Sequence, residues 1–219
     1  MRQPRLLPFT ETHTVTFFGP TDELVFTEGD VLLFATDGAV ATGIRAGEWL
    51  ISRISEPELR PYTWANHAAV GRFARAVDTM ADGTKVPEGT PIVAQMSPRG
   101  LGSGHEYVPA HGYVHRLAAV VHFDADANDV KRTLHRDDNC AFVRYGFLAY
   151  PGLFINGLTG LKLGLAPGAS LFCSEHTTLC AADYYFPDRP ASAVTPAHIA
   201  MYVDAKPPAE LWPPTCSAQ

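Results

Sequence analysis

Cysteine is scarce in this chain. Cys140, Cys173, Cys180 and Cys216 form no C-x-x-C pair and no dense framework across 219 residues, which argues against a disulfide-stapled scaffold. On one helix Cys173 and Cys180 would lie about 10 Å apart at 1.5 Å rise per residue, too far to bridge. All four are read as reduced thiols. Basic runs are missing too, and the net charge is -6, so nucleic acid is not an expected partner. No apolar stretch approaches the roughly 18–20 residues of a membrane span. Met1–Pro8 carries positive charge without the apolar core of a signal peptide, so the expected location is the cytoplasm or a larger particle such as a virion. There is no G-x-S-x-G for a serine nucleophile. Gly100, Gly102 and Gly104 are too loosely spaced for a phosphate-binding loop.

What is present is enough apolar material for a sizeable core, 46% of residues. Residues 1–28 read as an arm holding one strand, Thr12 to Phe18. Val31–Ala35 is a short continuous apolar run of buried-strand type. Asp37–Ile54 has no strict period and reads as a loop with a helix near Gly47–Ile54. Trp64–Ala74 and Pro91–Met96 form an antiparallel hairpin around a turn-rich excursion at 78–90. Tyr107–Ala110 and Leu117–Phe123 are further strands. Asp126 to about Tyr150 reads as a helix burying Val130, Leu134, Phe142, Val143 and Phe147. Thr195–His198 can start a short turn. The Pro-rich tail, residues 205–219, is expected as an extended arm.

The most informative stretch is Leu171–Tyr184. Cys173, Thr177, Cys180, Ala181 and Tyr184 recur at the spacing of one helical face, and Pro187 stops the helix near Phe186. A thiol in the first turn of a helix meets unpaired N–H groups and the positive dipole end, both of which favour thiolate. The plainer reading is a small buried cysteine on a packed helix. Glu175 in the same turn suits the dipole and reads as structural.

The order Gly29-Asp30-Val31-Leu32-Leu33-Phe34, Asn66-His67-Ala68-Ala69-Val70, Ile92-Val93-Ala94-Gln95 and Phe172-Cys173-Ser174-Glu175 resembles the circularly permuted NlpC-type papain-like hydrolases. That group includes YiiX-like proteins and relatives of lecithin-retinol acyltransferase. Asn66 stands where serine is usual, Gln95 where glutamate is common, and His176 where an aliphatic residue is preferred. The resemblance implies an α+β permuted papain-like domain over residues 29–204, with an antiparallel sheet packed against the cysteine helix. It implies Cys173 as nucleophile, His67 as base and Gln95 as the group orienting the imidazole, in the manner of Cys-His-Asn sites. Glu106 or His105 stands in for Gln95 if the register differs.

The implied activity is cysteine-dependent hydrolysis or transfer at an amide or ester through a thioester. Cell-wall peptide is the first substrate class, and lipid or acyl groups the second. A structural or assembly role, as in a phage tail tip, is the alternative from another class, with protein partners held by the N-terminal arm and the tail. No cofactor is implied. His111 and His115 form H-x3-H, with His105 and His122 nearby, the residue type of a metal site. On an extended segment His111 and His115 lie about 13 Å apart, too far for one ion.

Overall fold

Val31–Phe34 (β2) is buried on both faces, and the sheet is laid out around it. The computed structural model describes residues 12–75, 78–80, 83–98, 104–113, 116–146, 155, 159, 170–184 and 189–212. Six strands make one antiparallel sheet: β1 (His13–Phe18), β2, β3 (His67–Phe73), β6 (Pro91–Met96), β7 (His105–Pro109) and β8 (Ala118–Phe123). Their spatial order is β1-β8-β2-β3-β6-β7. The excursion between β3 and β6 holds a two-stranded ribbon, β4 (Asp78–Thr79) with β5 (Lys85–Val86). Arg144–Tyr145 (β9) pairs in parallel with Ser170–Leu171 (β10).

Period-2 alternation sorts the side chains onto two faces. Val31, Leu33, Ala68, Ala119 and Val121 point toward the helices, where they meet Ile51, Trp64, Tyr184, Ile199 and Tyr202 in the main core. Leu32, Phe34, Ala69, Val93, Ala118 and Val120 point the other way, against Leu24, Phe26, Ala110 and Tyr113. Helices α1 (Ala39–Ile54), α2 (Ala127–Asn139), α3 (Cys173–Cys180) and α4 (Pro196–Tyr202) accompany the sheet. Among the described residues, no helix is long and apolar enough to cross a membrane. The architecture is therefore α+β, an antiparallel sheet with helices against it.

Several expectations differ from the observed elements. The helix expected near Gly47 begins at Ala39, because Ala41, Ile44, Glu48 and Ile51 form one buried face that Thr42 and Gly43 interrupt only on the solvent side. The helix expected to reach Tyr150 stops at Asn139. Asp137 and Asp138 oppose the dipole at its C-terminal end, and Phe142, expected in the core, is 98% exposed. Phe147 lies outside the described residues. Thr195–His198 is not a bare turn but the capping box that starts α4.

The two arms are packed as far as they are described. β1 is an edge strand of the main sheet, and Leu24 and Phe26 belong to its core. Beyond Asp204 the chain stays on the body: Trp64 Nε1 donates to the Ala205 carbonyl at 2.9 Å, and Leu211 and Trp212 pack on the main core. The Arg45 guanidinium lies 5.7 Å over the Trp212 ring. Apolar contacts hold this stretch in place of the solvated arm that its prolines suggested.

Candidate active site

β3 starts where Asn66 ties it to the end of β2. The Asn66 Oδ1 accepts from Thr36 N at 2.7 Å and its Nδ2 donates to the Thr36 carbonyl at 2.9 Å. This side chain extends the ladder by one amide pair, a role that serine could not fill. It fixes the entry of the next residue, His67, which pairs in register with Phe34.

Gln95 lies on β6, whose register with β3 puts it on the same face as His67. Its Nε2 donates to Glu106 Oε1 at 2.8 Å, which orients the amide. Oε1 then accepts twice, from the Tyr113 hydroxyl and from His67 Nε2 at 2.5 Å. Because an amide oxygen only accepts, His67 carries its proton on Nε2 and exposes the lone pair of Nδ1. Tyr113 comes from a 3-10 turn, Ala110–Tyr113, and stacks on Phe34 with ring centroids 4.1 Å apart. Burial pushes the His67 pKa down to about 4 against the Gln95 hydrogen bond, and the charges of Arg116 and His176 lower it further. The ring is neutral at pH 7.

Cys173 opens α3. The helix has no side-chain N-cap; instead the carboxyl of Glu175, at its third position, accepts from the Phe172 backbone N–H, half of a capping box. Burial raises the Glu175 pKa to about 7. Ser174 Oγ donates to the Val194 carbonyl at 2.6 Å and pins the helix from its other side. The backbone amides of Ala68 and Ser174 favour the Cys173 thiolate. Even so, burial pushes this thiol up to about 11, with the charge of Glu48 adding to the rise. The expected depression toward thiolate is thus reversed. A helix end is worth about 0.3–1 kcal/mol, under one pKa unit, whereas full desolvation shifts a group by up to 3–5 units, and Cys173 is 1% exposed.

The structure joins His67 directly to Gln95 and sets Cys173 against the amide of Ala68, the residue after His67. By strand alternation the imidazole and the cysteine helix lie on opposite faces of β3, since Val70 and Ala94 pack against Cys180. Among the described residues no hydrogen bond joins the Cys173 thiol to the His67 ring. A cavity of about 310 Å³ opens beside His67, Gln95, Tyr113, Arg116 and Tyr145. Cys173 is not in its wall but packs with Tyr145, which is.

The alternatives to Gln95 fall elsewhere. Glu106 is the next member of the same chain of hydrogen bonds, not a substitute. His105 faces the helices, with Nε2 2.7 Å from Asp137 Oδ1. Tyr113 was not expected in the site; an aromatic ending a turn after β7 was its only signal. Of the remaining histidines, His122 bonds Asp30 at 2.8 Å, His111 is exposed, and His115 lies outside the described residues. No protein-family model and no curated protein matches the chain.

Proposed function

We propose that the protein is a cysteine-dependent hydrolase or acyltransferase acting on an amide or ester through a thioester on Cys173. The observation that carries this reading is a ring-orienting amide, Gln95, that holds the His67 imidazole in the wall of a cavity, with the helix-terminal thiol of Cys173 on the opposite face of β3 beside the next residue, Ala68. Gln95 holds Nε2–H and leaves Nδ1 as the base nitrogen, while Cys173 lies against the adjoining Ala68 amide.

In this reading the resting site is a neutral thiol and a neutral imidazole. The reading requires a rearrangement at the start of β3 and α3 that carries the Cys173 thiol past the strand to the cavity side; Nδ1 then takes its proton as sulfur attacks the carbonyl carbon. Backbone N–H groups at the start of α3 are placed to hold the oxyanion. The imidazolium then protonates the leaving amine or alcohol as the C–N or C–O bond breaks. Water, deprotonated by the same nitrogen, hydrolyses the thioester and returns the thiol. A neutral amide stabilises the imidazolium less than a carboxylate would, which suits a short-lived ion pair formed only during attack. A permuted papain-like, NlpC-type topology accounts for the order of the four sequence motifs, and peptide amides such as those of cell walls are the first substrate class.

One observation favours a second reading, a papain-like body used as an assembly part: Cys173 is buried and absent from the cavity wall. Turnover decides between them. Purified protein incubated with a panel of peptide amides and acyl esters should release product, and Cys173→Ser and His67→Ala should each abolish release while keeping the melting transition. Absence of turnover on every substrate, with binding to a particle or partner intact, favours the assembly reading.

A further inference from the structure

On the helical face of the sheet, away from His67, five donor groups converge where α2, α3 and β7 meet. His176 and Cys180 are four residues apart on one face of α3, and Cys180 Sγ lies 3.4 Å from His176 Nε2. Asp137 and Cys140 are three apart at the end of α2, and Asp137 Oδ1 lies 2.9 Å from the same His176 Nε2. The donor atoms of Cys140, His176 and Cys180 are all within 4.8 Å of one another, as are those of His105, Asp137 and His176. Four of the five residues are buried or nearly so, while Cys140 keeps partial contact with solvent.

We infer that Cys140, Cys180 and His176 form three corners of a tetrahedral site for a zinc-class divalent cation, with the fourth position left for water. With Zn–S about 2.3 Å and Zn–N or Zn–O about 2.0–2.2 Å, ligand-to-ligand spacings in a tetrahedron are about 3.3–3.8 Å. The observed 3.4 Å between Cys180 Sγ and His176 Nε2 falls in this range, and the three donor atoms lie within 4.8 Å of one another. Two soft thiolates with an imidazole select zinc over the oxygen-seeking cations. His176 Nε2 donates to the Asp137 carboxylate in the metal-free protein, and Nδ1 is buried with no hydrogen-bond partner among the described residues. Binding at Nε2 therefore moves the ring proton to Nδ1 and frees the Nε2 lone pair for the ion. Asp137, held by Arg72 and His105, stands beside His176 as a carboxylate next to the ligand ring, the kind of outer support that metal ligands receive. Arg72 also bonds Asp138 at 2.7 Å, so the added cation meets an anionic pocket that is only partly neutralised. Cys140 supplies the entry route. The site would clamp α2 and α3 together beneath the sheet, independent of Cys173 and His67.

The test uses the full chain, purified under reducing conditions and freed of metal with a chelator. Titration with Co²⁺ alone should saturate at one equivalent, with a sulfur-to-cobalt charge-transfer band and the intense visible bands of tetrahedral cobalt. Zn²⁺ should displace it and raise the melting temperature. Cys140→Ser, at the most exposed ligand, should fold and show about half the charge-transfer intensity; Cys180→Ser should do the same. A Cys173→Ala, Cys216→Ser double variant should keep the full spectrum. Failure of the metal-free protein to take up cobalt overturns the proposal, as does a spectrum unchanged by Cys140→Ser. Should Cys180→Ser not fold, the Cys140→Ser spectrum and the zinc-dependent melting shift still decide it.

Discussion

His67 and Tyr113 share one acceptor: both donate to Gln95 Oε1, at 2.5 Å for the imidazole. That sharing fixes the tautomer and, with burial, holds the ring neutral. His67 should therefore stay unprotonated well below the ordinary histidine range, titrating near 4, with its proton on Nε2 by nitrogen NMR. Since the folded pKa lies below the unfolded one, His67 favours the fold above about 6.5. This contribution is lost as pH falls toward 4, at up to about 1.4 kcal/mol per pH unit. Gln95→Glu should move the ring's titration upward. A His67 resonance titrating at 6.5 in the folded protein contradicts this account.

Glu48 gives the opposite sign. Its Oε1 accepts from Ala197 N at 2.9 Å, its Oε2 is buried with no hydrogen-bond partner among the described residues, and burial raises its pKa to about 8. The folded state keeps a proton that the unfolded chain releases from about 4.5, so stability falls as pH rises from there to 8. Glu48→Gln mimics the protonated acid. Denaturant unfolding should show the variant gaining on the parent from pH 5 to pH 8, and an equal difference at both pH values would count against a buried protonated Glu48.

Thiol order is the third prediction. Partial exposure and a pKa lowered chiefly by the Cys180 hydrogen bond should make Cys140 react before Cys173. In chelator-treated Cys216→Ser protein, iodoacetamide at neutral pH should modify Cys140 first and leave Cys173 protected, as mapped by peptide mass. Fast modification of Cys173 would show that its burial is only transient.

Two glycines should respond in opposite directions. A Cβ on Gly104 would stand 1.9 Å from the Val143 carbonyl oxygen, so Gly104→Ala should destabilise by about 1–3 kcal/mol as backbone yields. Gly43, within α1, has open space around its Cβ position, and Gly43→Ala should stabilise by about 0.5–1 kcal/mol. Melting curves on both variants check the pair.

The main sheet was legible because its strands announce themselves: Val31–Phe34 as an unbroken apolar run, and Pro91–Met96 returning to Trp64–Ala74 across a turn-rich excursion. His67 beside Gln95 was legible once those two runs were paired. The reversed titration of Cys173 was not, since helix placement is a local signal whereas desolvation depends on Met96 and Tyr145 arriving from distant segments. The donor cluster was hidden for a similar reason. Its pattern, D-x2-C in one helix and H-x3-C in another, spans 44 residues from Asp137 to Cys180, and only the packing of α2 on α3 unites it. The capping residues were partly legible: Thr195 with His198 was placed at a turn, but nothing in the sequence indicated that seven residues beyond would be helical.

The central claim is that Cys173 accepts an acyl group with His67 as its base. The most direct measurement is mass spectrometry of intact and digested protein after brief exposure to an activated acyl ester. The account predicts one acyl group on Cys173, its loss in Cys173→Ala, and slowing by at least about 100-fold in His67→Ala, the scale of one general base. Acylation confined to Cys140, or a Cys173 rate indifferent to His67→Ala, would contradict it.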